Sequence, residues 1–146
     1  MRLSTRARYG LRAILQLAEG FKSGPVPASV IAREQGVSAK YLHALLTVLK
    51  SAGLVRSVRG TGGGYALTRP PSRIRISEVV QALEGPLSLV ECVGDERGCE
   101  RAERCAARDI WLALSNAIES TLSSLTLEDA VQKLKDKEVA ARMYHI

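Results

Sequence analysis

The stretch Ser38-Ala-Lys-Tyr-Leu-His-Ala-Leu-Leu-Thr-Val-Leu-Lys-Ser-Ala-Gly53-Leu-Val-Arg-Ser-Val-Arg-Gly-Thr-Gly-Gly-Gly-Tyr-Ala-Leu67 decides how this chain folds. Ser38 is a good N-cap, and Tyr41, Leu42, Leu45, Leu46 and Leu49 recur at helical spacing, so a helix is expected over about 39–52, closed by Gly53. Leu54 to Val58 then alternates as a short strand. Arg59-Gly-Thr-Gly-Gly-Gly64 is a turn, and Tyr65-Ala66-Leu67 returns as a second strand. Upstream, Ala28 to Gln35 reads as a short helix ended by Gly36. Helix, glycine turn, helix and hairpin together make a winged helix-turn-helix.

That order makes the second helix the recognition helix, with Ser38, Lys40, Tyr41 and His43 near the end that meets base edges in a major groove. Lys50 is a candidate for a phosphate. Arg59 and Gly60 at the wing tip suit a phosphate or the minor groove. Core packing is the competing role for Tyr41. A nucleotide-binding loop is disfavoured, because the glycines lack the Lys-Ser/Thr that ends a P-loop and no helix follows.

Charge supports the same partner. Residues 1–75 hold 13 Lys/Arg and 2 Asp/Glu, a net of +11, whereas residues 76–146 hold 8 and 13, a net of −5. A basic head and an acidic body suit a polyanion on one side only, here double-stranded DNA. Ser4 to Gly20 reads as a first helix with Leu11, Ile14, Leu15 and Ala18 inward, and Arg6, Arg8 and Arg12 elsewhere on its surface. A helix from Glu78 to Leu83, broken at Gly85-Pro86, completes a head over 1–85. No run approaches the length of a membrane span and no signal peptide is evident, so a cytoplasmic protein is expected. With only His43 and His145 and no nucleophile or acid–base set, an enzyme is disfavoured.

All three cysteines lie in Cys92-Val-Gly-Asp-Glu-Arg-Gly-Cys99-Glu-Arg-Ala-Glu-Arg-Cys105, within a loop expected over 86–106. In a reducing compartment such clustering points to metal, cluster or redox chemistry rather than disulfides. Thiolates select zinc, copper(I) or iron–sulfur clusters, and three leave one position short of the usual four. A thiol switch needs only two of them. Arg97, Arg101 and Arg104 favour thiolates, and Gly94 and Gly98 make the loop a flexible wrap. A long helix is expected from about Glu103 to Ser124. Its stripe Ile110, Leu114, Ile118 and Leu122 is too long to bury against so small a head, so it should pair with a second copy, giving a homodimer suited to a palindromic operator. Thr126 to Asp129 starts a last helix ending near Lys135, which leaves 136–146 as a frayed tail.

The start Met1-Arg-Leu-Ser-Thr-Arg-Ala-Arg-Tyr-Gly10, the pair Tyr41-Leu42, the wing Leu54 to Tyr65 and the cysteine triad followed by Trp111 resemble the IscR-type family of bacterial winged-helix transcription regulators, over nearly the whole chain to about residue 135. The resemblance implies a mostly α fold with a long dimerisation helix. It also implies a dimeric regulator, a repressor by expectation, carrying an iron–sulfur cluster (2Fe–2S or 4Fe–4S) on Cys92, Cys99 and Cys105 and responding to cluster supply, iron, nitric oxide or oxidants. Three positions depart from the family. Arg108 stands where a His completes one type of site, and Arg8 stands where an acidic residue of the partner subunit completes another. His43 replaces a Glu of the recognition helix. A zinc- or thiol-based switch on the same scaffold is the alternative.

Overall fold

The computed structural model describes residues 2–95 and 99–145. Helix α1 (Thr5–Glu19) opens at Ser4, whose Oγ accepts the Ala7 N–H at 3.3 Å. The Ser4 amide donates to the Glu84 carboxylate at 3.0 Å, and the Ser4 hydroxyl donates to the same oxygen. The start of the chain is thus tied to the end of a helix 80 residues later. Along α1 the residues Ala7, Ala13, Ile14, Leu17 and Ala18 are buried.

Helix α2 (Ala28–Gln35) ends at Gly36 in the left-handed region, with φ +66°, where a side chain would be strained. The chain can therefore turn sharply into α3 (Ala39–Ser51), where the Ser38 hydroxyl accepts the Tyr41 N–H at 3.1 Å. Leu42, Leu45, Leu46 and Leu49 of α3 are all buried. Burial of each stabilises the fold by roughly 1.5–3 kcal/mol.

Strands β1 (Val55–Val58) and β2 (Gly64–Leu67) pair antiparallel, Val55 opposite Leu67 and Val58 opposite Gly64. Tyr65 also exchanges two backbone hydrogen bonds with Val26, at 2.9 and 2.8 Å, which docks the wing on the segment before α2. This close approach explains one glycine: a Cβ at Gly64 would stand 2.2 Å from the Val26 carbonyl oxygen.

Helix α4 (Ile76–Glu84) begins two residues before the expected Glu78. The Glu78 carboxylate reaches back to accept the Arg75 N–H at 3.0 Å and pairs with Arg69 at 2.6 Å, so the acidic residue sits in the first turn rather than opening it. Val79, Val80 and Leu83 face the core, as their spacing indicates.

After a short turn, α5 (Glu91–Gly94), come α6 (Ala106–Ser124) and α7 (Leu127–Tyr144). Two boundaries differ from the expectation. The long helix starts at Ala106, not near Glu103, because Ala102–Arg104 forms a tight 3-10 turn and Cys105 is extended. The last helix does not stop near Lys135. It continues to Tyr144, so 136–144 is helical rather than a frayed tail, and Ile146 lies outside the described residues.

The start of α7 belongs to the head. Thr126 and Asp129 cap each other: the Thr126 hydroxyl accepts the Asp129 N–H at 3.1 Å, and the Asp129 carboxylate accepts the Thr126 N–H at 2.9 Å. Ile76 N–H donates to Leu125 O and Leu127 N–H to Ile74 O, both at 2.9 Å. These bonds bring Leu127 and Val131 into the same core as the leucines of α3 and the inward face of α1.

Candidate functional site

The exposed end of α3 and the wing tip are the two features that can meet a ligand from the head. Lys40 and His43 stand exposed in the first turns of α3, while Arg59 and Gly60 are exposed at the hairpin tip. Gly60 and Gly62 take φ of +96° and +75°, which lets the tip turn without a side chain in the way. The Ser38 hydroxyl is engaged as the helix cap. Lys50 is at the opposite end of α3, where its Nζ donates to Ser57 Oγ at 3.0 Å and ties that end to β1.

Tyr41 turns inward. Its ring meets Tyr9 edge-on, with centroids 6.1 Å apart, and its hydroxyl is buried with no hydrogen-bond partner among the described residues. Of the two roles open to Tyr41 in the sequence, packing is the one its surroundings favour. The same contact draws in residues that the sequence reading left elsewhere on the surface. The guanidinium groups of Arg8 and Arg12 lie 5.9 and 5.5 Å from the Tyr9 ring centre, a cation–π distance. Both arginines therefore border the N-terminal end of α3. The spacing of Tyr9 and Arg12, three apart on one helix, was the available signal. Nothing in the sequence paired Tyr9 with Tyr41.

The cysteines stand half-buried at the junction of α5 and α6, and none is in a disulfide. Cys92 lies in α5, Cys99 precedes the 3-10 turn and accepts the Ala102 N–H on its carbonyl at 3.1 Å, and Cys105 stands just before α6. Arg97 and Gly98, expected to shape this wrap, lie outside the described residues. Three thiols in one stretch are the right donors for zinc or an iron–sulfur group, so the stretch fits such a group in kind. Their present arrangement is open: among the described residues, no three His, Cys, Asp or Glu side chains converge as metal ligands would. Arg108 has no lone pair to offer. Its Nε instead donates to the Cys92 carbonyl at 3.1 Å, across the gap from α6 to α5.

Beyond this junction, α6 turns much of its apolar face outward. Ile110, Trp111 and Leu114 are 59%, 40% and 46% exposed, and Ser115 is the buried residue of the helix. Ile118 and Leu122 are half-buried, and Leu122 packs on the head. A cavity of about 690 Å³ opens between this face and Leu3, Pro86, Leu89 and Val90. No described helix is long and apolar enough to cross a membrane.

A capped recognition helix, a basic wing and a cysteine-bearing junction leading into a long, half-naked helix define a winged-helix regulator. Comparison with known proteins makes the class specific. Residues 3–133 match the family model of Rrf2, an iron-dependent transcriptional regulator. The HTH-type transcriptional regulator IscR of Xenorhabdus nematophila is 41% identical over 142 residues, covering 97% of this chain and 86% of that protein. Among solved structures, CymR, the global cysteine regulator of B. subtilis, superimposes with a TM-score of 0.77 at 37% identity, covering 91% of this chain and 98% of that one. IscR of T. potens superimposes at 0.75 with 38% identity, covering 96% and 90%. The chain belongs to the Rrf2 family of transcriptional regulators.

Proposed function

We propose that the chain is a cytoplasmic, dimeric repressor that binds a palindromic site on double-stranded DNA and is controlled by an iron–sulfur group on Cys92, Cys99 and Cys105. The observation that carries DNA binding is the joint exposure of Lys40 and His43 at one end of α3 with Arg59 and Gly60 on the wing, in a half of the chain with a net charge of +11. A recognition helix reads base edges with its N-terminal residues, and a wing beside it holds the flanking backbone. His43 offers a ring nitrogen to a base edge and Lys40 a point charge to a phosphate. Lys50 contributes by steadying the wing through Ser57, and Ser38 by capping the helix.

The exposed face of α6 supports pairing with a second copy. Ile110, Trp111 and Leu114 gather into one exposed apolar patch, such patches mark interaction surfaces, and an isologous pair needs no second protein. The working parts then divide as a head over 1–85 completed by the start of α7, a cysteine stretch over 86–106 and the dimerisation helix α6. In this chain the route from the cysteines to the head runs along α6 to Glu119, whose carboxylate accepts from Gln81 of α4 at 2.9 Å. A bound iron–sulfur group would supply reversible sensitivity to iron, nitric oxide and oxidants.

Fluorescence anisotropy on a labelled operator duplex tests the first half. Affinity should fall roughly tenfold or more from low to physiological salt, and Arg59→Ala should lower the salt slope by about one. Affinity indifferent to salt would end the DNA reading. Anaerobic purification tests the second half: brown protein with iron and sulfide, lost in Cys99→Ala, is expected. Colourless protein with zinc or three free thiols would instead favour a zinc or thiol switch on the same scaffold. The likeness to CymR, which from Staphylococcus aureus is also solved in an oxidized form, supports that second reading.

A further inference from the structure

The segment that carries Cys92 is fastened to α6 at two points. At one, Arg108 Nε donates to the Cys92 carbonyl at 3.1 Å. At the other, the Leu89 N–H donates to Ser115 Oγ at 3.4 Å, and Ser115 is the residue of α6 that is buried. Arg108 and Ser115 are seven residues apart, so they lie two turns apart on one face of the helix, about 10 Å along its axis. Leu89 and Cys92 are three residues apart, and Val90 between them is extended, with φ −142° and ψ 151°. From Val90 the strap turns into α5, so Cys92 sits in the first turn of that helix. The strap runs antiparallel to α6, Leu89 beside Ser115 and Cys92 beside Arg108, so the two bonds hold it at both ends. The family resemblance puts a ligating His at 108; here the residue holds the backbone of a ligand candidate instead.

We propose that Arg108 is a positioning residue for Cys92. With Ser115 it holds the 89–92 strap against α6 and keeps Cys92 at the N-terminal end of that helix, beside the chain that leaves Cys105. The cysteine stretch is then partly assembled before any metal or cluster is taken up, and less ordering remains to be done on binding. This inference rests on reading the three cysteines as a binding site for a soft metal or cluster.

Two measurements on anaerobic, metal-free protein test it. In hydrogen–deuterium exchange, Arg108→Ala should make peptides spanning 88–95 exchange several-fold faster while peptides from α1 to α4 are unchanged. Ser115→Ala should do the same from the other end, beginning at the Leu89 amide. In titration with cadmium(II), followed by the thiolate-to-metal absorption in the ultraviolet, Arg108→Ala should bind several-fold more weakly. Arg108→Lys, which can still donate to the Cys92 carbonyl, should recover part of the loss, which a change in overall stability would not do. Unchanged exchange over 88–95 in both alanine variants, or exchange that rises equally throughout the molecule, would overturn the brace. A wild-type protein that takes up no cadmium, yet whose strap is freed by Arg108→Ala, would leave the brace standing and remove the reading of the cysteines as a binding site.

Discussion

Helices α3 and α6 carry the same kind of signal and meet opposite fates. Both present apolar residues at helical spacing. In α3, Leu42, Leu45, Leu46 and Leu49 are buried against the rest of the head, Leu42, Leu46 and Leu49 at 0% exposure. In α6, over 19 residues, Ile110, Trp111 and Leu114 remain 40–59% exposed. Periodicity says that a helix has a face to cover; it does not say what covers it. For α3 the cover is its own chain, because α1, α2, α4 and β1 surround it. For the N-terminal half of α6, no described segment of the chain closes over the face, which is why a second copy enters the proposal.

The comparison can be broken from either side. The largest effect is expected in the head: Leu46→Ala removes a fully buried side chain from a close-packed core and should cost about 2–5 kcal/mol, seen as a lower urea midpoint with little change in slope. A loss under about 1 kcal/mol would mean that the α3 face is not the closed core described here. Leu114→Glu tests the other side. It sets a charge in the exposed stripe, so if α6 pairs two copies as proposed, sedimentation velocity should find a dimer for the wild type and monomers for the variant, with the head's circular dichroism retained. If Leu114→Glu left the sedimentation coefficient unchanged, the face would be simply solvated and the contrast with α3 would lose its meaning.

The smallest effect is expected at the start of α7, where the chain returns from α6 to the head. The Thr126 backbone N–H, and then its hydroxyl, hold the Asp129 carboxyl below the usual carboxylate range. A carboxylate whose value is lowered on folding stabilises the fold above its unfolded value, near pH 4, and that contribution fades as the pH drops through the lowered folded value. Protection of the amides in the first turn of α7, taken relative to their intrinsic exchange rates, should therefore fall below about pH 4, and in Asp129→Asn that fall should vanish. An identical pH profile in the two proteins would separate the cap from the docking of α7.

The parts of the chain that could be read in advance share a cause. Ser4, Ser38 and Thr126 cap helices by contacts within three residues, Gly36 turns by its own backbone freedom, and the wing is set by alternation and a glycine-rich turn. Such interactions are local, so neighbouring residues suffice to reveal them. The far half of α7 was missed for a different reason. After Leu134 the sequence Lys-Asp-Lys-Glu-Val-Ala-Ala-Arg has no sustained apolar period, but it is free of Gly and Pro and rich in good helix formers, so propensity carries the helix where pattern is silent. The late start of α6 reflects the extended backbone of Cys105, which no propensity indicated.

By itself, then, the sequence determined the winged-helix head, its basic charge, the gathering of three thiols in one stretch and the existence of a long apolar stripe. Tertiary structure alone decided that Tyr41 turns onto Tyr9 instead of outward, that Arg8 and Arg12 border the recognition helix, that Lys50 braces the wing, and that Arg108 reaches the backbone of Cys92. They rest on pairs 7 to 32 positions apart meeting in space: Lys50 with Ser57, Cys92 with Arg108, and Tyr9 with Tyr41. Such meetings follow from how helices pack on one another, and they leave no periodic trace along the chain.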